Sequence, residues 1–319
     1  MRNLKLMIFF MLLPTLFIFT GCSEDDNVNE YDALLEYLEQ DDFINTAAPA
    51  IKSAADVKID MAGNTQHLID VRSAADFASG HVEGAVNVAF ADLLSHVEGL
   101  TTDYESIVII CYTGQSAAYG ASMLRMLGHD NVYSMKFGMS SWNSDFDSWS
   151  SNLTNTYFTD FETTNNAKPD KQKAPKVDTG KDKGRDILKA RVKEMLTNGF
   201  GDAGISASEV VPNAENYFVI NYWPESQYLD PGHIPGAYCY VPKSDLKSST
   251  YLNTLPADQT IVVYCYTGQT SAYVTAFLKA LGYNAKSLKF GANNMIYGHM
   301  PAGKFTNNDI MNYEYVTGN

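Results

Sequence analysis

One ten-residue phrase occurs twice in this chain, and it constrains the fold more than any other feature. The first copy reads Ile107-Val108-Ile109-Ile110-Cys111-Tyr112-Thr113-Gly114-Gln115-Ser116, and the second reads Ile261-Val262-Val263-Tyr264-Cys265-Tyr266-Thr267-Gly268-Gln269-Thr270. In each, apolar and mostly β-branched residues stop at a cysteine, pass through a small-residue turn and enter Ala-rich sequence ending in Leu-Gly. That pattern predicts a buried strand, a tight loop and a helix. The helices are expected over about Ser116 to Leu127 and Thr270 to Leu281, with Gly128 and Gly282 as left-handed stops. A cysteine at such a junction lies where backbone N–H groups of the loop and first helical turn converge. Those groups favour an anion and so ease thiolate formation.

The flanking sequence repeats as well. His67 to Arg72 reads as a strand ending in charge, Ser73 to Ser79 as a helical turn with an N-cap serine, and Gly84 to Val88 as a second strand. Ala91 to Val97 follows as a short helix and Val132 to Met135 as a further strand, closed by Lys136-Phe137-Gly138-Met139-Ser140-Ser141-Trp142. In the second half, Arg185 to Asn198 reads as a helix, and Tyr217 to Trp223 stands where the first half has its Asp70-Val71-Arg72 strand. Phe290-Gly291 repeats Phe137-Gly138 without a tryptophan after it, so a different closure is expected there. His233 follows His81 by 152 residues and Cys265 follows Cys111 by 154, as a duplication requires. A chain of 319 residues accommodates two domains, expected over 43–162 and 184–319. The intervening 163–183 is nearly free of large apolar residues and reads as a flexible linker. Strands alternating with helices imply an α/β fold, each domain a mainly parallel sheet flanked by helices on both faces, with ligands at the carboxyl ends of the strands.

Two further motifs accompany the cysteine loops. Asp70-Val71-Arg72 and Gly80-His81-Val82-Glu83-Gly84-Ala85 precede the first, and Gly232-His233-Ile234-Pro235-Gly236-Ala237 precedes the second. In this order, ahead of Cys-x-x-Gly-x-Ser/Thr, they resemble the rhodanese-like (sulfurtransferase) domain, twice over. The resemblance implies that Cys111, with Cys265 as the second candidate, takes a sulfane sulfur from thiosulfate or a protein or low-molecular-weight persulfide. The sulfur is held as a persulfide and passed to a thiophilic acceptor, with no metal or organic cofactor. Thiolate and persulfide both need preorganised donors. The amides of Tyr112, Thr113, Gly114, Gln115 and Ser116, and of Tyr266, Thr267, Gly268, Gln269 and Thr270, are the expected set, with the hydroxyls of Thr113, Ser116, Thr267 and Thr270 as seconds.

Departures from the family pattern shape these expectations. Active loops often carry Arg or Lys after the cysteine, whereas both copies here have tyrosine, which weakens the expectation of thiosulfate binding. Copy one keeps Asp70 and Arg72 where copy two has Asn221 and Trp223. Either Arg72 sets the electrostatics of the first loop, making Cys111 the better nucleophile, or the two residues form an internal ion pair. His81 and His233 follow turn glycines and are expected to tie those turns down. Cys239, in an apolar aromatic strand, reads as inert, or as a partner for Cys265 in an oxidising compartment. A phosphatase of the related kind needs arginine six residues after the nucleophile, and Ala117 and Ser271 stand there instead. The six histidines lack ligand spacing and no Cys-x-x-Cys occurs, so metal and thioredoxin-type readings fail. The rival function is a non-catalytic sulfur carrier, sensor or binding module.

The N-terminus reads as a targeting segment. Arg2 and Lys5 precede an apolar run from Leu6 to Phe19, and Phe19-Thr20-Gly21-Cys22 resembles a bacterial lipobox. The expectation is a signal peptide over 1–21, a lipid on Cys22 and a tether over 22–42 containing a short helix with Leu34, Leu35 and Leu38 on one stripe. The protein would then sit at the bacterial cell envelope, anchored in a membrane. A formal charge of −14 argues against a nucleic-acid partner, which would ask for a basic face.

Overall fold

The computed structural model describes residues 28–46 and 49–318, so Cys22 and the leader expected before it lie outside the described residues. Two five-stranded sheets are present, every pairing parallel. The first contains β1 (Ile51–Lys52), β2 (Gln66–Asp70), β3 (Val86–Asn87), β4 (Ser106–Ile110) and β5 (Val132–Met135), in the order β1-β5-β4-β2-β3. The second contains β6 (Gly204–Ile205), β7 (Phe218–Asn221), β8 (Tyr238–Cys239), β9 (Ile261–Tyr264) and β10 (Ala285–Leu288), in the order β6-β10-β9-β7-β8. β4 and β9 are the middle strands, covered on both faces, which is why they read as unbroken apolar runs. The register sets Asp70 beside Ile110 and Asn221 beside Tyr264, one residue before each cysteine.

The loop helices run Gln115–Met126 and Gln269–Ala280, within a residue of expectation. Gly114 and Gly268 precede them at φ 80° and 76°, and Gly128 and Gly282 end them, both at φ 94°. The two helices pack against each other across the inter-repeat interface, where Ser122 Oγ donates to the Tyr273 carbonyl at 2.9 Å.

Two segments expected outside the domains are part of this packing. The helix Glu30–Glu39 buries Tyr31, Leu34 and Leu38 against the helix Gly184–Ala203, and Tyr31 Oη meets Tyr283 Oη at 3.3 Å, so it is docked rather than a free tether. The 163–183 segment has no helix or strand, as a linker should, but it is strapped down along the second repeat. Asn166 Nδ2 donates to the Ala237 carbonyl at 3.1 Å, Lys168 pairs with Asp245 at 3.0 Å, and Gln172 N–H donates to the Asn253 carbonyl at 2.8 Å.

The ends of the repeats are exchanged. Residues 154–162 leave the first repeat and lie on the second, where Tyr157 N–H donates to the Met295 carbonyl at 3.2 Å and Glu162 bridges His233. The C-terminal tail does the converse. Met311 N–H donates to the Ser141 carbonyl at 2.9 Å, Val316 bridges His81, and Trp142 Nε1 donates to the Glu314 carbonyl at 2.9 Å.

Candidate active site

Cys111 and Cys265 occupy the carboxyl ends of the middle strands, and their side chains face the first turn of the helices that follow. Gly114 N–H and Ala117 N–H donate to Cys111 Sγ at 3.1 and 3.4 Å. Ser271 N–H donates to Cys265 Sγ at 3.3 Å, and the thiol in turn donates to Ser271 Oγ at 3.6 Å. Both cysteines are buried, at 3% and 2% exposure, so their charge balance depends on these few groups.

Of the expected loop donors, Gly114 alone reaches a sulfur among the described residues. Ala117 and Ser271, six residues after the cysteines, are donors outside the expected set. Their amides belong to the first helical turn, where N–H groups have no intrahelical acceptor. Thr113 Oγ1 accepts from Gln115 Nε2 at 3.0 Å, and Thr267 Oγ1 accepts from Gln269 N–H at 3.3 Å. Ser116 and Thr270 are half-buried on the same turn.

Each loop is backed by the turn that follows β5 or β10. Met139 N–H donates to the Cys111 carbonyl at 2.8 Å and Ala292 N–H to the Cys265 carbonyl at 3.0 Å. A Cβ on Gly138 or Gly291 would collide with those carbonyls. The closure differs as expected: Met139–Trp142 is a turn of α-helix where Gly291–Asn294 is a 3-10 turn, and Ser140 Oγ donates to the Tyr112 carbonyl at 2.8 Å where Asn293 Nδ2 donates to the Tyr266 carbonyl at 2.8 Å.

Gln115 and Gln269 are buried. Each reaches into the other repeat: Gln115 Oε1 accepts Phe290 N–H at 2.7 Å, and Gln269 Oε1 accepts Phe137 N–H at 3.0 Å. Phe137 and Phe290 sit at φ 60° and 61°, a left-handed conformation that costs a bulky residue about 1–2 kcal/mol. Trp149 packs edge-on against both at 4.9 and 5.0 Å, and Phe305 packs edge-on against Phe137 at 4.9 Å and stacks on Trp149 at 5.3 Å. The two loops thus abut through reciprocal glutamines and one aromatic cluster, and no residue in either sequence copy signals that its partner lies in the other.

The tyrosines after the cysteines turn away in two manners. Tyr112, 38% exposed, lies over the Arg72 guanidinium at 5.5 Å. Partial burial, with its bond to the Asp76 carboxylate, pushes its phenol up to about 12. Tyr266 stacks on Trp223 at 5.0 Å and hydrogen-bonds Gln227. Burial, with the adjacent Cys265, pushes its phenol up to about 12. Trp223 therefore stands in for Arg72 as the flat surface beneath the tyrosine.

Arg72 itself is consumed. Its Nε donates to both Asp70 oxygens at 3.1 and 3.0 Å, while Nη2 donates to Asp70 Oδ2 at 2.7 Å and to the Gly80 carbonyl at 2.6 Å. With both side chains 1% exposed or less, this is the internal ion pair. His81 Nδ1 meets the Phe77 carbonyl at 2.8 Å, and His233 Nδ1 meets the Tyr228 carbonyl at 2.9 Å; each ring stacks on the aromatic it follows. Burial holds the His233 imidazole below its usual value. Cys111, Cys239 and Cys265 are free thiols in this structure, and Cys239 Sγ lies 3.7 Å from the Trp223 carbonyl. Burial pushes the Cys239 thiol up to about 11. Among the described residues no group of three or more His, Cys, Asp or Glu could hold a metal, and no helix is long and apolar enough to cross a membrane.

Comparison with known proteins bears on this geometry. The rhodanese-like domain family matches residues 53–145 and 210–295. The thiosulfate sulfurtransferase GlpE of Shewanella oneidensis is 35% identical over 75 residues, 24% of this chain and 73% of that protein. Its Pseudomonas fluorescens counterpart is 33% identical over 81 residues, 25% of this chain and 73% of that one. Among solved structures, thiosulfate sulfurtransferase from Pseudomonas aeruginosa aligns with 88% of this chain and 49% of its own, at 13% identity and a TM-score of 0.31. With its two parallel sheets and two matched segments, this chain belongs to the rhodanese-like family of sulfurtransferases and carries that domain in tandem.

Proposed function

We propose that the protein transfers sulfane sulfur through a persulfide on Cys111, with Cys265 as a second carrier. The observation that carries this reading is the Cys111 sulfur, set at the end of β4 with two amide N–H groups at 3.1 and 3.4 Å. A thiolate there attacks the donor's sulfane sulfur, the bond to the donor's leaving group breaks, and the negative charge moves to the outer sulfur of the persulfide. An acceptor thiol or cyanide then takes that sulfur and restores the thiolate. With tyrosine after each cysteine and Arg72 neutralised by Asp70, a persulfide donor suits the site better than the dianionic thiosulfate. The N-terminal sequence supports a lipid on Cys22 and a place at the cell envelope.

The test is sulfur transfer to cyanide from thiosulfate and from glutathione persulfide, by the wild type and the Cys111→Ser and Cys265→Ser variants. Turnover lost chiefly with Cys111 is expected, and faster with the persulfide. The burial of both cysteines favours one alternative, a sulfur carrier or sensor that does not turn over. Absence of turnover with every donor would establish that alternative.

A further inference from the structure

The two sulfur cradles are not equivalent, and the difference lies in one residue. Cys111 has two amide donors, from Gly114 and Ala117. Cys265 has one, from Ser271, and the contact that Gly114 makes in the first loop has no counterpart from Gly268. In its place stands the Ser271 hydroxyl, 3.6 Å from Cys265 Sγ and fully buried. The first loop has Ala117 at that position, with no hydroxyl to offer.

The hydroxyl is part of a chain. Ser271 Oγ lies 2.8 Å from Ser287 Oγ on β10, and Ser287 Oγ donates to the Gly268 carbonyl at 3.3 Å. With the thiol neutral, every proton has an acceptor: Cys265 S–H donates to Ser271, Ser271 to Ser287, and Ser287 to Gly268. When the thiol proton leaves for solvent, the electron pair on Sγ needs a donor instead. Ser271 supplies it by rotating about its Cβ–Oγ bond, while Ser287 keeps its bond to the loop carbonyl, and no bond in either serine is broken. Hydroxyl-to-anion hydrogen bonds are among the stronger ones. The titratable groups facing Cys265 are Tyr266 and, from beyond β7, Tyr222. Burial pushes both to about 12, so neither places a charge beside the sulfur at neutral pH.

We infer that Ser271 is a sulfur-binding residue of the second site, its hydroxyl supplying the donor to the Cys265 anion that Gly114 supplies in the first. The inference rests on the reading of Cys265 as a sulfur carrier, but its test does not require turnover. In full-length protein labelled with carbon-13 at cysteine Cβ, the shift of each cysteine reports its own ionisation. Ser271→Ala copies the residue already tolerated at 117. It should raise the Cys265 midpoint by about one pH unit, a tenfold loss of thiolate at a given lower pH, and leave Cys111 unmoved. Ala117→Ser should lower the Cys111 midpoint. An unchanged Cys265 midpoint in Ser271→Ala overturns the inference. A shifted midpoint in a protein that transfers no sulfur from any donor upholds it and removes the transferase reading instead.

Discussion

Replacing Arg72 by alanine separates the two roles open to it. The Asp70 carboxylate is fully buried and receives three side-chain bonds from Arg72 at 2.7–3.1 Å, plus Arg72 N–H at 2.9 Å. Without the guanidinium, the charge keeps that one amide and no counter-ion, and the Gly80 carbonyl loses its donor as well. Breaking a buried pair from one side costs about 3–5 kcal/mol, because the remaining ion is left uncompensated. Urea unfolding of Arg72→Ala should show that loss, with the Cys111 ionisation midpoint moving far less than stability does. The Asp70→Asn, Arg72→Trp double variant imitates Asn221 and Trp223. It should cost less than Arg72→Ala, since no orphaned charge remains and the indole can lie under Tyr112 as Trp223 lies under Tyr266. If Arg72→Ala unfolds within about 1 kcal/mol of the wild type while sulfur transfer collapses, the ion-pair reasoning is wrong and Arg72 acts on the loop.

Three other outcomes follow from the same geometry. Gln269→Ala strips the acceptor from a buried amide, Phe137 N–H, and should destabilise the protein by about 1–3 kcal/mol in urea; Gln115→Ala should behave alike through Phe290. His67, His129 and His233 are held below their usual 6.5 chiefly by burial, so the unfolded chain binds more protons than the folded one just below that value. Stability should therefore fall as pH drops from about 7 to 5.5, and His67→Gln, which also removes the 2.8 Å contact with His96 Nε2, should flatten the fall. Residues 43–162 expressed alone lack the tail that covers Trp142, so they should show no cooperative unfolding transition, while the full chain does.

Much of the sheet was legible because it is written in local terms. β-branched runs ending at Cys111 and Cys265, N-cap Ser73, and glycines at 114, 128, 268 and 282 each fix their own backbone, and the structure places them within a residue or two. The sulfur donors were harder to read. An amide contact depends on where the helix turns, and Ala117 carries no side-chain signal. Ser271 was visible in the sequence, but it was weighed there as a missing arginine, and its hydroxyl only acquires meaning beside Ser287 on β10. The docked helix Glu30–Glu39 reads as a tether in sequence because its polar face dominates its composition. The stripe of Leu34 and Leu38 was present, but its partner, the helix Gly184–Ala203, lies some 150 residues away.

The exchange of closing segments explains why no reading of one repeat could yield the site. Tyr157 N–H bonds the Met295 carbonyl and Met311 N–H bonds the Ser141 carbonyl. A segment of each repeat thus closes over the turn that follows the last strand of the other. Gln115 with Phe290 and Gln269 with Phe137 obey the same rule at the cysteine loops. An acceptor borrowed from the other repeat holds each left-handed phenylalanine, and the glycine after that phenylalanine leaves room for the cysteine carbonyl. Separation of the repeats would leave two buried amides unpaired and two bulky residues in a costly conformation without support. The cradle around either sulfur is therefore a property of the pair, and the sulfur chemistry proposed at one cysteine would require the other half to be folded against it.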